Sequence, residues 1–108
     1  MKKRMIRKEI REMVKRIAER FDPERIILFG SHARGEAGAD SDVDLLVVMK
    51  IEGSKRAKQL ELHSVLGDIH VPKDVIVSTP EEFEWRKDVV GTIEWPATHG
   101  GKVLYAKT

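Results

Sequence analysis

Apolar positions in the first segment recur at helical intervals. Ile6, Ile10, Met13, Val14, Ile17 and Phe21 fall on one stripe, and Asp22-Pro23 closes the helix or makes the turn beyond it. The run Arg25-Ile26-Ile27-Leu28-Phe29 is short, apolar and β-branched and halts at Gly30, which predicts a buried strand. A loop rich in small residues (Gly35, Gly38, Ala39) follows, with a helical turn expected over residues 33–36. Residues 43–49 predict a second strand, with two aspartates at its start. Ser54 caps a predicted helix carrying Ala57, Leu60, Leu62, Val65, Leu66 and Ile69. After Pro72, Asp74-Val75-Ile76-Val77-Ser78 reads as a third strand. Thr79-Pro80-Glu81-Glu82 is a helix start, with Thr79 as cap and proline in the first turn. That helix is expected to run through Phe83, Trp85 and Val89 and to lose regularity near Pro96. Gly100-Gly101 breaks the chain before a last strand over residues 102–105. The order αβ(α)βαβαβ predicts an α/β (α+β) fold, a small mixed β-sheet flanked by helices on at least one face.

Length and composition narrow this picture. With 108 residues, the expectation is a single domain over 1–108 with a modest core. No apolar run approaches the roughly 18 residues of a membrane span. The charged start of the chain lacks the pattern of a signal peptide, so no membrane association and a cytoplasmic location are expected. The absence of cysteine excludes disulfides, thiolate metal sites and cysteine nucleophiles, leaving oxygen or imidazole to hold any metal. The chain has no Asn and a single Gln, Gln59, while 35% of its residues are charged, a bias shared with heat-adapted proteins. A net charge of +2 gives no argument for nucleic acid, and direct nucleic-acid binding is not expected. The charge is uneven, however. Lys2, Lys3, Arg4, Arg7, Lys8, Arg11, Lys15, Arg16 and Arg20 face only Glu9, Glu12 and Glu19, as a solvated helix face or one that meets an acidic partner or phosphate.

Candidate chemistry concentrates in residues 30–48. A buried strand ends in Gly30-Ser31 and opens a turn among small residues. Glycine lets backbone approach a ligand closely, N–H groups at a helix start favour anions, and the Ser31 hydroxyl can donate to a phosphate oxygen. Asp42 and Asp44, two apart at a strand start, leave the same face and repel unless a cation lies between them. Hard oxygen ligands suit Mg²⁺, which binds through one or two carboxylates together with substrate phosphates. Asp74 also begins an apolar strand. If that strand lies beside the second, three carboxylates could hold two divalent ions about 3.5–4 Å apart.

Gly-Ser, ten residues, then Asp-x-Asp resembles the signature of the polymerase-β-type nucleotidyltransferase superfamily. The fuller text, strand-GSxARGxA-loop-SDxDLLV, is similar to its smallest branch, the minimal nucleotidyltransferases (MNT), over nearly the whole chain. The resemblance implies a polymerase-β-like nucleotidyltransferase fold. It assigns Gly30 and Ser31 to a nucleotide triphosphate, Asp42 and Asp44 to metal, and Asp74 to a third metal-site acid that helps deprotonate an acceptor hydroxyl. Arg34 stands between a phosphate contact and a surface ion pair, and His32 has no assigned role. The implied reaction moves a nucleoside monophosphate, AMP from ATP with Mg²⁺ (two ions), to an acceptor and releases pyrophosphate. The MNT branch further implies an antitoxin that adenylylates a tyrosine of a HEPN-type ribonuclease toxin, in a homo- or hetero-oligomer. The alternatives are a small-molecule acceptor such as an aminoglycoside, and a non-catalytic module that acts by contact.

The remaining conspicuous residues read as structural. His63, His70 and His99 have no zinc spacing. Trp85 and Trp95 are expected in the core or half-buried, with a partner surface as the other reading, and Tyr105 is expected against the sheet.

Overall fold

The computed structural model describes the backbone of residues 2–38 and 40–107 and the side chains from Ile6 onward. Ala39, expected in the loop, and the side chains of Lys2, Lys3 and Arg4 lie outside the described residues. The elements are α1 (Lys2–Phe21), β1 (Arg25–Phe29), α2 (Ser31–Arg34), β2 (Val43–Val48), α3 (Lys55–Val65), β3 (Lys73–Ser78), α4 (Pro80–Arg86), α5 (Glu94–Thr98) and β4 (Lys102–Ala106). Strands run in the order β3-β2-β1-β4. β1 is antiparallel to β2 and β4, whereas β2 and β3 are parallel, which makes the sheet mixed as expected.

Alternation along the strands divides the core into two layers. On one face, Ile26, Leu28, Leu45, Val47, Val75 and Val77 pack under α1 and α3, through Ile10, Met13, Ile17, Leu62 and Leu66. On the other, Ile27, Phe29, Leu46 and Val48 pack under Phe83 of α4 and Ala97 of α5. Arg16 fastens the first layer. Its guanidinium donates to the Val65 carbonyl at 3.1 Å and to both carboxylate oxygens of Asp68, tying α1 to the end of α3.

The strands match expectation to within one residue, and the helices depart from it in three places. The helical turn begins at Ser31 rather than residue 33, because Gly30 already turns the chain and Gly35, left-handed at φ 72°, ends it. The helix after Thr79 stops at Arg86, although its capping box with Glu82 is formed as expected. A second helix, α5, then contains Pro96 in its first turn, where a missing N–H breaks no helical bond. Finally, α3 ends at Val65, short of Leu66 and Ile69, which are buried in the turns beyond it; within the helix Leu62 is buried while Ala57 and Leu60 face solvent, Leu60 at 62% exposure. Trp85 is likewise 62% exposed, against the expectation of core packing, and Trp95 is half-buried, stacked on His99. Among the described residues, no helix is long and apolar enough to cross a membrane.

Candidate active site

Strand register brings the acids together. Asp44 of β2 is the Cα partner of Asp74 of β3 and, on its other side, of Phe29 of β1, the residue before Gly30. Because side chains alternate, Asp44 and Asp74 lie in one row on the α4–α5 face, at the end of the sheet where β2 and β3 begin. Asp42 lies two residues ahead on the same strand line. Its charge acts on Asp44, whose carboxyl is pushed above the ordinary aspartate range by burial first, then by Asp74 and Asp42; His32 and Arg34 oppose the rise.

The Gly-Ser turn closes over this row. Gly30 adopts φ 76°, ψ −157°, a conformation almost confined to glycine, and a Cβ there would lie 2.3 Å from Oδ2 of Asp44. The carbonyl of Gly30 accepts from the N–H groups of Ala33 and Arg34 at 3.1 and 3.2 Å, so those of Ser31 and His32 open the helix without intrahelical partners. Ser31 is half-buried beside them. Arg34 is exposed and paired with Glu36 at 2.6 Å, the surface ion pair of its two readings.

His32 is the residue that sequence reasoning left without a role. Its Nε2–H donates to the Ser41 carbonyl at 3.0 Å, which requires hydrogen on Nε2 and joins α2 to the residue before Asp42. Gly38 N–H donates to Ser41 Oγ at 2.9 Å, and Val43 N–H to the Pro72 carbonyl at 2.8 Å. The loop carrying Asp42 is therefore fastened on both sides. Nothing in the sequence foretells the His32 contact, which joins residues nine positions apart.

The donor set is all oxygen, and among the described residues none of its carboxylates is in an ion pair; both features suit a hard divalent cation. Among the described residues, no three carboxylates or imidazoles close on one point tightly enough to hold an ion unaided. Mg²⁺ does not need such a cage, since it retains water and takes substrate phosphates as ligands. Neither of the main surface grooves, one between α1 and β4 and one around Phe21, Arg25 and Lys107, is lined by the three aspartates.

A Gly-Ser turn poised over an acid row at one end of a small mixed sheet defines the nucleotidyl-transferase type of domain. The chain belongs to the nucleotidyltransferase domain family, whose model matches residues 7–95. It is 39% identical over 71 residues to "Putative protein adenylyltransferase MJ1305" of Methanocaldococcus jannaschii, a match covering 64% of this chain and 46% of that protein. The chain thus spans about half the length of that relative. Its fold is similar to the crystal structure of "a putative nucleotidyltransferase from Sulfolobus solfataricus", with TM-score 0.65, 26% identity, and coverage of 95% of this chain and 84% of that one. A toxin–antitoxin structure with AMP-PNP shares the fold alone, at TM-score 0.50 and 18% identity over 100% of this chain and 76% of its own.

Proposed function

We propose that this chain transfers AMP from Mg-ATP to a hydroxyl of a protein partner, a tyrosine of a HEPN-type toxin, and so acts as its antitoxin. The observation that carries the reading is the row of Asp42, Asp44 and Asp74 beneath Gly30. The curated relative supports a protein as acceptor, and the toxin–antitoxin neighbour supports the partner class and the nucleotide.

Each residue then has a task. Gly30 keeps the turn within reach of the phosphates, and the N–H groups and hydroxyl at Ser31 bind the triphosphate. Asp42 and Asp44 would hold the divalent ion, with Asp74 as the third acid. The ion would supply neutralisation of charge on the transferred phosphoryl group. The acceptor oxygen bonds to the α-phosphorus, the bond from that phosphorus to the bridging oxygen of the β-phosphate breaks, and pyrophosphate leaves. Asp74, exposed at the rim, accepts the hydroxyl proton. An acceptor presented by a second protein would complete the walls of the site.

Intact-mass spectrometry of the protein encoded beside this one, incubated with this chain and Mg-ATP, tests the proposal. The expected result is a gain of one or more adenylate units, absent with Asp42→Ala. No gain despite ATP binding would move the acceptor to a small molecule. A stable complex with neither gain nor ATP binding would reduce the chain to a contact inhibitor.

A further inference from the structure

On the sheet face away from the aspartates, α1 and β4 bound a groove of about 570 Å³. Its floor is apolar: Ile10, Val14 and Ala18 on one wall face Leu28, Leu104 and Tyr105 on the other. Ile10 and Leu28 are buried, but Val14, Ala18 and Tyr105 are only half-covered and Leu104 is 38% exposed. Four cations, Arg7, Arg11, Lys15 and Lys102, stand exposed around this floor, and no acid lines it. Among the described residues, none of the four is in an ion pair.

The spacing makes the arrangement informative. Arg7, Arg11 and Lys15 recur every four residues, so like charges stack along one edge of α1, a pattern that opposes helix formation. The neighbouring row Ile10, Val14, Ala18 repeats at the same interval and leaves apolar surface half-exposed, which also costs stability in water. Both penalties are relieved by one occupant that carries acids beside an apolar stripe. β4 adds a sheet edge that no strand covers among the described residues.

We propose that this groove is the docking site for an acidic, amphipathic segment of a protein partner. The predominantly apolar floor favours polypeptide over nucleic acid, whose interfaces are polar and phosphate-dominated. Charge complementarity at the rim would set orientation and speed encounter. The groove reaches the active site through α2, since His32 and Gly35 complete its lining. A partner seated here would lie beside the helix that holds the proposed triphosphate turn, and its reactive residue would have to pass round the sheet edge to reach Asp74.

Fluorescence anisotropy with the whole chain tests this without ATP or Mg²⁺, so the result is independent of the transfer reading. The probe is a labelled peptide of about 16 residues, with leucines at helical spacing on one face and glutamates on the other, long enough to follow the exposed part of α1. The same residues in scrambled order, a thymidine oligonucleotide and phosphatidylglycerol vesicles are the competitors. The patterned peptide is expected to bind about tenfold more tightly than the scrambled one, and Arg7→Glu/Arg11→Glu/Lys15→Glu to lose about that factor. A circular-dichroism melt checks the fold of this variant, and Lys102→Glu on β4 serves in its place should the helix variant unfold. Equal binding of the two peptides, an unchanged affinity in the charge-reversed protein, or displacement of the peptide by oligonucleotide or vesicle would overturn the proposal.

Discussion

Gly30 and Asp44 are packed so closely that a single methyl group on the glycine would lie 2.3 Å from Oδ2 of the aspartate. The turn and the acid row are therefore one piece of architecture. Two features work against a side chain at residue 30: the backbone at φ 76°, ψ −157°, which favours glycine, and the contact, which would push the end of the Asp44 side chain aside. Gly30→Ala is expected to cost at least the ~1–3 kcal/mol of that conformation. It is also expected to abolish transfer, because Asp44 must move to relieve the clash. A melting curve with a transfer assay checks this, and near-wild-type values of both would show that the turn is more pliant than its geometry implies.

Asp44 links the electrostatics of the site to stability. Its carboxyl is held above the ordinary range by burial, with Asp74 and Asp42 adding like charge. The folded protein thus binds this proton more tightly than the unfolded chain, and the stabilisation is complete at low pH and fades as pH rises through the raised value. At neutral pH the ionised group opposes folding. Asp44→Asn is expected to melt a few degrees above wild type at pH 7, with the gap narrowing as pH falls towards the ordinary aspartate range, while transfer is lost. Mg²⁺ is expected to raise the wild-type melting temperature and to do little for this variant. A variant that melts lower at neutral pH, or an equal response to Mg²⁺, would contradict the account.

In the proposed reaction, His32 is expected to act through position. Its Nε2–H ties α2 to Ser41, one residue before Asp42. His32→Ala frees that loop while leaving the buried core untouched, so the melting temperature should change little. Small displacements of reacting groups can cost about 10²-fold in rate, and kcat is expected to fall by roughly 10- to 100-fold. His32→Gln, whose amide N–H can reach the same carbonyl, is expected to recover much of the loss. Equal kcat in all three proteins would leave His32 as packing alone.

The legible parts of this molecule are those governed by local rules. The stripe on α1, the β-branched run of β1, Ser54 as a cap whose hydroxyl accepts from the Ala57 N–H, and the Thr79–Glu82 capping box each follow from chemistry within a few residues. The proposed site residues Gly30, Ser31, Asp42, Asp44 and Asp74 are marked in the sequence by their spacing and by the strand starts. That Asp74 stands beside Asp44 depended on strand order, which the sequence offered only as a condition. What escaped depends on distant partners. Glu94 is buried and accepts from the Ser78 hydroxyl at 2.8 Å, a contact between two elements with no local sign. Trp85 is expected in the core or half-buried, with a partner surface as the other reading; α4 turns Phe83 inward and shows Trp85 to solvent, with the Arg86 guanidinium 5.0 Å from its ring.

The exposed side of β3 is closed by side chains rather than by another strand. Gln59 and His63, one turn apart on α3, accept from the N–H groups of Val77 and Val75 at 2.9 and 3.4 Å. An edge strand with unpaired donors is a template for association, and these two side chains occupy two of the donors that face outward. They also fix β3 against α3, and hence Asp74 beside Asp44. Gln59→Ala leaves the Val77 N–H to water and is expected to cost ~0.5–1.5 kcal/mol, a fall of several degrees in melting temperature. Gln59→Ala/His63→Ala is expected to go further, forming dimers or larger species by light scattering as β3 edges pair between molecules. A double variant that stays monomeric and melts like the wild type would mean that α3 shields the edge by its bulk, with the two hydrogen bonds incidental to it.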